Sequence, residues 1–170
     1  MKYARSIIGK KWKSESPFNI DSVEDAHTSC SGELSVWLYD ENDKNKAALA
    51  IAMTRSYISD VAMVIFDDAT KKGTIVITPQ EGTSKWKEVK NNHVNLMLCH
   101  FDDVKWLMDY MWGEVTKGHV VIVRSKTIKA YFKECVKNHT IDQETINHIH
   151  AHKEEANYAY WEQRIQEELS

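Results

Sequence analysis

The sequence predicts an α/β or α+β fold: one sheet of about four strands packed by helices, followed by a long acidic C-terminal helix. Three observations carry this. Residues 33–68 read strand, helix, strand. Two further β-branched runs, 74–78 and 119–124, read as strands. Between and after them lie helical stripes, the clearest being Phe101, Val104, Leu107, Met108, Met111 and Val115. At 170 residues the chain is expected to be a single domain, with an N-terminal segment (1–32), an α/β core (33–138) and the terminal helix (140–169).

In chain order, residues 1–13 allow a short helix or a strand, with Ile7, Ile8 and Trp12 as the apolar positions and Gly9 weakening the helix. Residues 14–19 are a turn, because Pro17 biases Ser16 away from helix. Residues 21–27 allow one or two helical turns, and the small residues 29–32 break before the first strand.

That strand, 33–39, alternates Leu34, Val36 and Leu38 against Ser35, Trp37 and Tyr39. Asn42 or Asp43 can cap the next helix, which is apolar on nearly every side from Ala47. Arg55 is its one interior charge. Residues 61–67 form an apolar β-branched strand, the mark of coverage on both faces. If strands 33–39 and 61–67 are parallel neighbours, the helix between them is a right-handed crossover. Residues 61–78 read most simply as a hairpin.

A short helix is expected over 84–92. Residues 94–99 allow a strand or the first turns of a helix ending near Thr116, and helix is favoured. Gly118 suits the position after a helix end. Another helix carries Ile128, Tyr131, Phe132, Cys135 and Val136. Thr140 and Gln143 fit a capping box that opens the final helix over 141–168.

Composition narrows the function classes. An apolar fraction of 42% and a charged fraction of 28% describe a globular chain, not a disordered one. The longest uninterrupted apolar run, 47–53, is far short of a membrane span. The start lacks the apolar core of a signal peptide. Three cysteines without metal-ligand spacing indicate reduced thiols in a cytoplasmic protein. Charge is segregated. Residues 1–13 carry Lys2, Arg5, Lys10, Lys11 and Lys13 without an acid, while residues 142–170 carry seven acids against Lys153 and Arg164.

Five constellations could carry chemistry. His148, His150 and His152 fall within five residues. On a helix His148 and His152 share a face while His150 points away, so the candidate metal ligands are His148, His152 and Glu155. Such a set could hold a divalent metal for a hydrolase or nuclease. Lys71, Lys72, Lys85, Lys87 and Lys90 with Trp86, together with the basic segment 1–13, suit phosphate contact and base stacking, hence nucleic-acid binding. A surplus of aromatics, among them Trp106, Trp112, Tyr158 and Trp161, suits a protein interface. Asp67, Asp68, Asp102 and Asp103 are better read as turn and cap residues, and Cys99 and Cys30 as buried, inert thiols despite His100 and His27 nearby.

The chain carries none of the nucleotide-binding or serine-hydrolase motifs. The leading reading is therefore a small cytoplasmic binding or interaction protein without catalysis. Its partner would be another protein or a second copy in a homodimer, with no membrane contact. The metal-dependent hydrolase or nuclease is the alternative, and nucleic-acid binding is the next. No cofactor is predicted, although the histidines allow a divalent metal.

Overall fold

A computed structural model describes residues 1–26, 32–68 and 70–169. The class is α+β. Among the described residues the strands are β1 (Lys2–Ile7), β2 (Glu33–Tyr39), β3 (Val61–Asp67), β4 (Val76–Pro79), β5 (His93–Met97) and β6 (Val120–Val123). The helices are α1 (Ile20–Ala26), α2 (Lys44–Ala52), α3 (Lys87–Lys90), α4 (Phe101–Thr116), α5 (Ser125–Lys137), α6 (Gln143–Ala151) and α7 (Ala156–Leu169). None is long and apolar enough to cross a membrane. The chain divides into two compact units, one of Met1–Tyr39, Ala62–Gln80 and His93–Ile122, the other of Asp40–Val61, Glu81–Asn92 and Val123–Ser170.

The first unit holds the sheet, in the order β4-β5-β2-β1-β3-β6. Six strands replace the expected four, because residues 2–7 and 93–97 are strands too. Residues 1–13 contribute β1 and then a 3-10 turn over Gly9–Trp12. β1 lies between β2 and β3 and is antiparallel to both. So β2 and β3 are parallel but not neighbours, which corrects the simple crossover reading. The expected 61–78 hairpin is also absent. β4 pairs instead with β5 at the far side of the sheet, Val76 opposite Met97. The connection from β3 is tied down on the way: Ile75 is buried, and the Thr74 hydroxyl donates to Asp103 of α4.

β5 corrects the preference for helix at 94–99. Val94 and Leu96 fill one sheet face while His93 and Asn95 take the other, and both neighbouring strands offer pairing partners. α4 packs Leu107, Met108 and Met111 onto the face that carries Tyr3, Ile7, Leu34, Val36, Val64, Phe66, Val94 and Leu96. Its first turn closes on Asp103, which is fully buried and accepts the His100 amide at 3.1 Å. The Thr74 hydroxyl first, then that amide, hold the Asp103 carboxyl below the usual carboxylate range.

The second unit is helical. α2 contacts α5, and α7 contacts both α5 and α6. Asp43 caps α2, accepting from the Lys46 amide at 3.1 Å, and its other oxygen accepts the Tyr131 hydroxyl of α5 at 2.6 Å. Ala47, Ala48, Ala50 and Ala52 are buried, so neighbours approach α2 closely. α2 stops at Ala52, and Arg55 lies beyond it. Asp60 receives the Ser125 amide at 2.8 Å and the Arg124 guanidinium at 2.7 Å, and so caps α5.

The predicted single helix over 141–168 is two, α6 and α7, with Asp142 rather than Thr140 as the first cap. No Gly or Pro marks the break. In a straight helix Ile149 and Trp161 would point about 120° apart. Folding the chain back between them lets both be fully buried.

Candidate functional site

Two places in the molecule offer functional geometry. The first is a surface of the first unit. α1 is inverted: Ser22 is fully buried, while Ile20 is 77% exposed and Val23 43%. Ser22 is held inside because its hydroxyl donates to the Pro17 carbonyl at 2.6 Å and its amide to Asn19 Oδ1 at 3.0 Å. The three-residue spacing of Ile20 and Val23 puts both on the outward side. Phe18 and Ile8 are also exposed.

This apolar segment sits on a fixed frame. The Asp25 carboxylate accepts the Ile8 amide at 2.8 Å and the indole of buried Trp12 at 2.7 Å. Its main-chain carbonyl accepts from Arg5 at 3.0 Å, and Arg5 reaches the Ser35 carbonyl at 2.9 Å. Burial lowers the Arg5 guanidinium to about 10, opposed by the nearby Asp25 charge. Trp112 adds a tie, its indole donating to the Ser14 carbonyl at 3.0 Å. Lys10, Lys13, Glu15 and Asp21 are exposed in the same stretch of chain.

The second place lies in the second unit. His148 and His152 of α6 are adjacent, with ring centroids 4.1 Å apart. Tyr158 of α7 packs beside both, at 5.4 and 5.2 Å between centroids, and its hydroxyl lies 3.2 Å from His148 Nε2. His152 Nδ1 is 2.7 Å from the His148 carbonyl and donates to it, which leaves His152 Nε2 with its lone pair. Burial, then the charges of His152 and Lys90, lower the His148 imidazole, opposed by Glu155 and Glu144. His150 points away, as the helical spacing requires, and meets Glu162. Among the described residues no three of His, Cys, Asp and Glu are grouped to hold a metal ion, so Glu155 does not complete a triad with the pair.

The expected nucleic-acid residues are dispersed into structural work. Lys85 is buried, its ammonium donating to the Met53 and Arg55 carbonyls at 3.0 and 3.3 Å and lying 5.1 Å from the Tyr158 ring centre. Trp86 is fully buried. Lys71 bonds the Ile75 carbonyl, Lys72 pairs with Asp102 and Asp103, Lys87 with Glu144 and Lys90 with Glu81. Lys71 and Lys72 belong to the first unit and the other four to the second.

The expected interface aromatics divide likewise. Trp161 is fully buried, packed edge-on against Phe132, so it anchors the core and not a surface. Trp106 stacks on Tyr110 at 5.4 Å, and Trp112 is held by Ser14 as above. Tyr158 belongs to the histidine cluster. Cys99 is exposed, contrary to expectation, and Cys135 is buried. Cys30 and His27 lie outside the described residues. Asp68 meets the N-terminal ammonium at 3.7 Å and the Tyr3 hydroxyl at 3.3 Å.

Sequence reasoning missed Ile20, Val23 and Phe18. The available signal was two apolar residues three apart on a helix too short to need a core face. No protein-family model, no curated protein and no solved structure matches this chain.

Proposed function

We propose that the chain is a binding protein that works through contact with another protein and not by catalysis, and that α1 with the residues before it makes the contact. The inversion of α1 carries this reading. A helix that buries a hydrogen-bonded serine leaves its isoleucine and valine facing water in the free chain. Covering what they still expose is favourable by roughly 1–2 kcal/mol for Ile20 and about half of that for Val23. The exposed charges of Lys10, Lys13, Glu15 and Asp21, close by in the chain, suit the polar edge that interfaces carry around an apolar centre. The frame around Asp25 presents the patch already ordered, which lowers the entropy cost of binding.

The exposed free thiol of Cys99 fits a reducing, cytoplasmic location. The hydrolase reading has fewer supports, since it rests on two imidazoles. Nucleic-acid binding has fewer still, with Lys85 and Trp86 inside.

Proximity labelling in the native cell tests the proposal. The Ile20→Asp/Val23→Asp variant should lose one or a few proteins that the wild type labels. Identical labelling profiles at equal expression would sink it.

A further inference from the structure

We infer that His148 and His152 form a two-histidine site for a late first-row divalent ion such as Zn²⁺ or Ni²⁺, with Tyr158 as the group the ion displaces. Imidazole suits these ions, whereas Mg²⁺ and Ca²⁺ demand oxygen ligands.

Three features make the pair more than a spacing. The two rings are adjacent, with centroids 4.1 Å apart and planes tilted by 46°. Zn–N bonds of about 2.0–2.1 Å at a tetrahedral angle put two ring centroids about 5 Å apart, within about 1 Å of this spacing. His152 is oriented as a ligand should be. Its Nδ1 donates to a main-chain carbonyl at 2.7 Å, which fixes the tautomer and leaves Nε2 for the metal. Finally, both side chains lie on the outer part of α6, so the ion reaches them without opening a core: His148 is exposed and His152 half-buried.

The contact with α7 sets the site's behaviour. His148 Nε2 faces the Tyr158 hydroxyl at 3.2 Å. An ion taking that nitrogen must break this contact between α6 and α7. Water completes the coordination, since the described residues supply no third ligand. The site is independent of the α1 surface.

The test is titration of the untagged full-length protein with Zn²⁺ and Ni²⁺ against a chromophoric chelator. One ion should bind per chain at this site. His148→Ala and His152→Ala should each weaken it by more than the roughly 10-fold that losing an outer-shell partner costs. Tyr158→Phe should bind more tightly, because His148 Nε2 is then free. Glu155→Gln should change little. Unchanged affinity in both histidine variants, or weaker binding by Tyr158→Phe, would overturn the inference, as would equal binding of Mg²⁺.

Discussion

His150 Nδ1 and Glu162 Oε1 lie 2.8 Å apart, joining α6 to α7 across the break between them. Twelve residues of straight helix would hold these groups about 18 Å apart, so the contact exists only because the chain folds back. Glu162 is buried and also accepts from Gln166 at 2.9 Å. Glu162→Ala should therefore destabilise the second unit by about 1–3 kcal/mol, read by chemical denaturation. Burial alone would raise this carboxyl. The hydrogen bonds from His150 and Gln166, with the charges of His150 and Lys153, more than offset it and hold the group below its usual value. A carboxyl lowered on folding adds stability above its unfolded pKa and loses it as pH falls through the folded one. The deficit of the variant should shrink below about pH 4.

Asp25 supports the proposed contact surface without belonging to it. Asp25→Ala leaves the Trp12 indole without its acceptor inside the first unit. The expected cost is about 1–3 kcal/mol, with a shift in Trp12 fluorescence, measured against Asp25→Asn, which keeps one acceptor oxygen and loses less.

Cys99 and Cys135 should separate by reactivity. Burial pushes the Cys135 thiol up to about 11, whereas Cys99 is exposed. In a Cys30→Ser background a thiol reagent at neutral pH should label one cysteine quickly and the second only on unfolding. Rapid labelling of two would contradict the packing of α5.

Lys85 distinguishes structural from nucleic-acid roles. Its ammonium closes the C-terminal end of α2 through the Met53 and Arg55 carbonyls. Lys85→Met should lower stability by about 1–3 kcal/mol. Any residual affinity for single-stranded nucleic acid should be the same as wild type in a low-salt gel shift.

The sequence exposes some of this architecture directly. Asp43 is legible as a cap because a short acid precedes an alanine-rich helix. Leu107, Met108 and Met111 are legible because a sixteen-residue helix repeats its stripe. Pairing is not legible. Nothing local in residues 2–7 or 93–97 says that two neighbouring strands await them, and that pairing decides their state. The break at 152–155 is invisible for the same reason: burial of both Ile149 and Trp161 forces it, without Gly or Pro. The histidine pair was visible from its spacing, and Tyr158 beside it was not, since only the fold-back brings α7 there. Lys85 and Trp86 mislead because a basic, aromatic stretch looks the same in sequence whether it faces water or closes a helix end.

The central claim is that the outward face of α1 is a protein-binding surface. A photo-crosslinking amino acid placed at Ile20, and separately at Val23, in the native cell tests it most directly, with the exposed Lys126 of α5 as the control position. The account expects a discrete protein adduct from positions 20 and 23 and none from 126. The adduct's mass would tell a second 19.7 kDa copy from a different protein. No adduct at 20 and 23, or the same adducts at all three positions, would contradict it.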